Sequence, residues 1–184
     1  MNYYVIQVLT GGEDKFLKLA RRALDSINPP LTETTTLMWP RRRLRIRKSG
    51  KDRDVLAPIF PGYLFLESEE LSTELYWALK EITGFCKFLK DNNTIEPLTG
   101  GDRQLLLHFL SFGEVVEKSR AYFDENRRIR IADGALKGLE GRIIKVDRRK
   151  GRARVALSLY EDSFKIDFGF ELLEPVGENE NNQE

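Results

Sequence analysis

A chain of 184 residues with 41% hydrophobic residues can bury one mid-sized core or two small ones. Its 30 Lys and Arg balance 29 Asp and Glu to a net charge of +1, which excludes a histone-like tail and an acidic disordered protein. One cysteine excludes an internal disulfide, and one cysteine with one histidine leaves no zinc-ligand set.

The first nine residues lack a basic leader and are followed by Gly11, Gly12, Glu13 and Asp14. No apolar run reaches the roughly 20 residues a membrane helix needs. The expectation is a cytoplasmic protein without membrane contact. Residues 3–9 are β-branched and aromatic, with Tyr4, Ile6 and Val8 on one side and Tyr3, Val5 and Leu9 on the other. That pattern predicts a central strand covered on both faces. From Glu13 to Ile27, Phe16, Leu17, Ala20, Ala23, Leu24 and Ile27 recur at helical spacing, and Pro29 and Pro30 stop the helix. A second extended region runs from about Thr34 to Arg47, followed by a charged loop around Ser49-Gly50-Lys51-Asp52. Tyr63 to Leu66 reads as a strand, Leu71 to Ile82 as a second amphipathic helix, and Phe85 to Leu89 as a short strand. Thr99 and Asp102 resemble a capping box before a third helix that carries Leu105, Leu106, Phe109 and Leu110. The order β-α-β-β-α-β-α fits an α+β fold, a ferredoxin-like antiparallel sheet with helices packed on one face.

Periodicity fades between residues 113 and 126, which predicts a linker. Short strands and closely spaced glycines follow: Ile129-Ile131, Arg142-Val146, Ala153-Leu157, Lys165-Ile166 and Phe170-Leu173. So small a segment hides its edges best by closing into a barrel. The expected organisation is an N-terminal domain over 1–112, a linker over 113–126, a small barrel over 127–176 and a disordered tail over 177–184.

Several motifs stand in a diagnostic order. They are Tyr3-Tyr4-Val5-Ile6-Gln7 before Gly11-Gly12-Glu13, Trp39-Pro40 before a basic segment, Phe60-Pro61-Gly62-Tyr63-Leu64-Phe65-Leu66, and Thr83-Gly84-Phe85. A KOW pattern follows, Ile129-Arg130-Ile131-Ala132-Asp133-Gly134 and then Lys137-Gly138-Leu139-Glu140-Gly141. Together they resemble the NusG family of transcription elongation factors over nearly the whole chain. The resemblance implies an N-terminal (NGN) domain that docks on the clamp helices of RNA polymerase beside non-template DNA, and a C-terminal SH3-like KOW barrel that recruits another factor. It implies no catalysis, no cofactor and a monomer. Two departures stand out: Gly134-Ala135-Leu136 where the family often has Gly-Pro-Phe, and Tyr160-Glu161-Asp162 where it often has Phe-Gly-Arg. They argue against Rho or ribosome contacts and favour a specialised antiterminator of the LoaP or RfaH kind. A housekeeping factor acting with Rho, and a ribosome-associated KOW RNA-binding protein, are the alternatives.

Tyr63 and Phe65 share one face of their strand, with Leu64 and Leu66 on the other. If helices cover the leucines, an aromatic patch is left for a partner helix, with Phe60, Pro61 and Trp39 nearby. The competing reading places these aromatics in the core or beneath the second domain. Arg41, Arg42, Arg43, Arg45, Arg47 and Lys48 form the steepest local charge and point to phosphate contacts. A second basic cluster, Arg148, Arg149, Lys150, Arg152 and Arg154, surrounds a barrel turn at Gly151 and suits an RNA hairpin in the nascent transcript. Cys86, between Phe85 and Phe88, reads as a small core residue, and His108 as a surface or half-buried helical residue. Neither has a partner for nucleophilic chemistry, and no Walker A or Rossmann glycine pattern occurs.

Overall fold

A computed structural model describes residues 1–160 and 162–173. The N-terminal sheet has the strand order β2-β5-β1-β6, with β1 at Asn2–Val8, β2 at Thr36–Met38, β5 at Tyr63–Ser68 and β6 at Phe85–Phe88. All its pairings are antiparallel. β1 lies inside the sheet, which is why both its faces are apolar.

The face made by Tyr4, Ile6, Val8, Leu64 and Leu66 is covered by α1 (Glu13–Asp25) and α2 (Thr73–Lys80). Phe16, Leu17, Ala20 and Leu24 form the buried stripe of α1, and Leu75 and Leu79 that of α2. Burying each leucine stabilises the fold by about 1.5–3 kcal/mol. Ser72 caps α2 by accepting from the Leu75 amide at 3.2 Å.

Glu13 has a structural task beyond favouring the N-terminus of α1. It is buried, and its carboxylate accepts from the Gly62 amide at 2.8 Å, while the Gly62 carbonyl accepts from the Val8 amide at 2.8 Å. The Gly11-Gly12-Glu13 and Phe60-Pro61-Gly62 motifs are therefore two halves of one corner.

The charged loop expected at 49–52 is only a two-residue turn. β3 (Arg41–Lys48) and β4 (Lys51–Pro58) pair in full register through Ser49 and Gly50. Both turn residues have positive φ, as a type I′ hairpin requires. Cys86 is exposed rather than core. β1 pairs Gln7 with Lys87 and Val8 with Phe85, so Cys86 is the extra residue of a bulge on an edge strand.

The helices do not all share one face as expected: α3 (Gly100–Leu110) lies on the other side of the sheet, because its Leu105, Leu106 and Phe109 pack in the cluster that holds Tyr3, Val5 and Phe65. Its expected capping box does not form, because the Thr99 side chain makes no cap bond. The Asp102 carboxylate instead accepts from the Tyr160 amide at 2.8 Å.

Where a linker is expected at 113–126, the chain forms two strands. β7 (Val115–Val116) runs parallel to β3, and β8 (Ser119–Phe123) enters the barrel. The barrel sheet has the order β10-β11-β12-β8-β9, with β9 at Ile129–Asp133, β10 at Ile143–Asp147, β11 at Arg152–Leu159 and β12 at Asp162–Leu172. The two segments expected near Lys165 and Phe170 are one long strand, β12. Its start pairs with β11, and its end runs parallel to β8. The α+β architecture of an NGN-type domain followed by a small KOW barrel is thus realised. The tail expected at 177–184 lies outside the described residues.

Candidate functional site

The aromatic face was expected to lie open, and here it is closed. Phe60, Tyr63 and Phe65 are buried, Phe65 completely, in one cluster that runs from the N-terminal sheet into the barrel. The second domain is the cover. The Phe164 ring of β12 stands edge-on to Phe60 at 5.6 Å and to Tyr63 at 5.7 Å between centroids. Phe109 of α3 meets Phe60 at 6.1 Å and stacks on Phe168 of β12 at 5.4 Å. The physical reason is the one that makes such a face a docking site: a contiguous aromatic patch left in water is costly, and an apolar strand from the same chain removes it.

Polar contacts fix the docking. The Tyr63 hydroxyl donates to Asp162 at 2.5 Å. Burial foremost, and then the Asp162 carboxylate, push the Tyr63 phenol well above its ordinary value. The Tyr160 hydroxyl donates to the Glu96 carbonyl at 3.0 Å, and burial with Asp102 and Glu96 nearby pushes that phenol up to about 12. His108 Nε2 lies 2.7 Å from the Ala135 carbonyl oxygen. Gly169 brings β12 against β3, since a Cβ there would lie 2.9 Å from the Arg43 carbonyl oxygen. Both departures from the family pattern supply contacts to the N-terminal domain, through Ala135 and through Tyr160 and Asp162; Glu161 lies outside the described residues.

Pro61 is half-buried in the turn before Tyr63. Trp39 is not part of this face. It packs with the helix-side cluster, and the Arg41 guanidinium covers its ring at 5.0 Å.

The arginine run is not one solvent-facing strip. Arg42 is buried, donating from Nε to the Asp167 carbonyl at 2.6 Å and from its fork to the Pro58 carbonyl, with its guanidinium 5.7 Å above Phe168. Burial pulls it down to about 10 against the pull of Asp167, so it remains charged at neutral pH. It is a strut between β3 and β12. Arg41 pairs with Glu114 at 3.5 Å, Arg43 with Glu117 at 2.7 Å, and Arg45 with Asp52. Arg47 and Lys48 are exposed.

In the barrel cluster, Arg154 forks onto both oxygens of Asp167 at 2.6 and 3.1 Å. That bond, with burial opposing it, holds the Asp167 carboxyl below its ordinary range. Arg148 covers Phe123 at 4.0 Å, while Arg149 and Lys150 are exposed around the turn at Gly151, whose φ is +60°. Arg152 donates to the Arg45 carbonyl at 2.7 Å and so joins the two basic clusters. Lys118 ties Asp54 of β4 at 2.9 Å to Glu171 of β12 at 3.4 Å.

The residues that sequence reasoning missed are those doing the covering: Phe164, Phe168, Asp162 and Asp167. Their local pattern says only that they belong to a strand.

Among the described residues, no helix is long and apolar enough to cross a membrane. Residues 1–107 match the family model described as "Transcription termination factor nusG". The transcription termination/antitermination protein NusG of Streptococcus pyogenes is 23% identical over 151 residues, covering 80% of this chain and 82% of the relative. That of Bacillus subtilis is 20% identical over 172 residues, covering 92% and 95%. A solved structure described as "Domain interaction in Thermotoga maritima NusG" superposes with a TM-score of 0.59 at 18% identity, covering 91% of this chain and 93% of that one. A family match over residues 1–107 of 184, with the fold in agreement, means that this chain belongs to the NusG family of transcription termination and antitermination factors.

Proposed function

We propose that this chain is an operon-specific cytoplasmic antitermination factor whose polymerase-binding face is Phe60, Pro61, Tyr63 and Phe65, and that it binds the clamp helices of RNA polymerase only after the barrel lifts away. NusG-family proteins interact with RNA polymerase. The observation that carries the reading is the Phe164 ring lodged against Phe60 and Tyr63. A greasy face matched to a partner helix is the same face that the barrel occupies, so the two coverings exclude each other. Once bound across the clamp, the factor would favour the elongating enzyme over its open, paused states by binding the former better. Non-template DNA would be contacted by the exposed cations of the β3–β4 hairpin, Arg47 and Lys48 foremost.

The specialised role, as opposed to a housekeeping factor acting with Rho, is supported by where the departures fall. Tyr160, Asp162 and Ala135 bind the N-terminal domain in this chain. While the barrel is closed, that segment is not free to recruit a third protein. Polymerase capture tests the proposal. Phe164→Ala is expected to bind polymerase more tightly than wild type and Tyr63→Ala to lose binding. Equal binding by all three proteins contradicts the reading.

A further inference from the structure

The two basic clusters lie a hundred residues apart in sequence, yet they line one groove. A cleft of about 410 Å³ opens between the β3–β4 hairpin and the β10–β11 turn, walled by Arg45, Ile46, Arg47 and Asp52 on one side and Arg149, Lys150 and Arg152 on the other. A second hollow of about 340 Å³ shares Arg45, Arg149 and Lys150 and continues past Arg148 and Lys118 to Phe170. The first cleft alone carries five cations against one carboxylate, Asp52, which is already paired with Arg45. Arg152 reaches across to the Arg45 carbonyl, so the walls meet at a bonded floor. Arg45 pairs with Asp52, Lys150 with Asp147 at 3.8 Å and Arg152 with Asp167 at 3.9 Å, so Arg47 and Arg149 carry the uncompensated charge, one on each wall, and a chain of phosphates that meets both releases its counterions.

We propose that the closed protein holds the phosphate backbone of a single nucleic-acid strand in this groove, with the hairpin and the barrel each supplying half of the site. Neither domain alone presents the groove. A strand that spans both walls therefore binds the closed form better than the open one, and by linkage it holds the barrel over Tyr63 and Phe65. Resting on the polymerase reading above, the consequence is that a strand in the groove and polymerase on the aromatic face oppose each other. The groove would act as a sensor that keeps the factor shut on free nucleic acid.

The test is fluorescence anisotropy of the full chain with a short single-stranded oligonucleotide of mixed sequence, as DNA in one arm and RNA in the other. Arg47→Gln on the hairpin and Arg149→Gln on the barrel should each weaken binding roughly fivefold and flatten its salt dependence by about 0.7 per lost phosphate contact. Phe164→Ala lies outside the groove but opens the domains, and it should weaken binding as well. The decisive comparison uses Asp102→Cys with Tyr160→Cys in a Cys86→Ser background. Oxidation should tighten oligonucleotide binding over the reduced form of the same protein, which lacks the Asp102–Tyr160 and Tyr160–Glu96 contacts and should bind no better than wild type. Oxidised and reduced forms of equal affinity, or a Phe164→Ala variant that binds like wild type, would overturn the shared groove in favour of two independent patches. Preference for one arm identifies the strand as DNA or RNA; absence of binding in both arms at low salt also overturns the proposal. These outcomes involve no polymerase, so failure of the polymerase reading would be seen separately.

Discussion

The Tyr63 hydroxyl donates to the Asp162 carboxylate at 2.5 Å, linking β5 of the N-terminal sheet to β12 of the barrel across 99 positions of sequence. One partner belongs to the motif most characteristic of the family, and the other to the triplet where this chain departs from it. The bond couples the face a partner would need to the element that hides it.

Removing the ring that fills the seam should shift the balance toward the open form. Phe164→Ala deletes a half-buried phenyl, worth about 1–2 kcal/mol at the junction. If the closed form dominates, affinity for an isolated clamp coiled coil should rise about tenfold. Isothermal titration against that fragment checks the expectation.

The Tyr63–Asp162 bond should appear as a coupling in a double-mutant cycle. Tyr63→Phe keeps the ring and removes the donor, and Asp162→Asn removes the charge. Each single change should cost about 1–2 kcal/mol of urea stability, and the pair less than the sum, as expected for a hydrogen bond to a charged group. Strict additivity would mean that the two residues do not meet in solution.

Acid should weaken the barrel through Asp167, whose carboxyl binds Arg154 of the neighbouring strand by a fork and lies 3.9 Å from Arg152. Its carboxyl is held below the ordinary range, so its stabilisation is complete above about pH 4 and is lost as pH falls through the lower folded value. Thermal denaturation between pH 7 and pH 2 should show a decline below about pH 4 that Asp167→Asn makes shallower. That variant should also be less stable at neutral pH, because it leaves Arg154 unpaired.

Alkali should act through Tyr160. A phenol raised in the folded state contributes stability below its ordinary value near 10, and that stability is lost as pH rises toward about 12. Tyrosinate absorbance should therefore develop late for this residue, and Tyr160→Phe should reduce the late component by one tyrosine, leaving that of Tyr63, whose phenol is also raised.

Much of the fold was legible because its signals are local. The two-faced apolar pattern of Tyr3 to Val8 marks an interior strand, and the stripe from Phe16 to Leu24 marks α1. β8 escaped notice because its inward residues are Ser119 and Ala121, too small to give a hydrophobic alternation, while Arg120 and Tyr122 face outward. Cys86 was misplaced because a bulge reverses the alternation that neighbouring phenylalanines suggest. Alternation along the strand puts Tyr63 and Phe65 on one face, where the structure also has them, but it says nothing of their cover. Nothing local in Phe164 or Asp162 says which surface β12 will meet. The same holds for Arg42: a run of arginines gives the charge, and only the fold reveals that one of them is buried against Asp167 and Phe168.

The most direct test of the central claim is polymerase binding by the Asp102→Cys, Tyr160→Cys protein in the Cys86→Ser background, measured with the barrel locked and unlocked. The oxidised protein should fail to bind RNA polymerase, and reductant should restore binding to at least the wild-type level, since the reduced form lacks the Asp102–Tyr160 and Tyr160–Glu96 contacts that help hold the barrel down. Undiminished binding by the fully oxidised protein would contradict it, since the partner would then have to use a surface other than the one beneath the barrel.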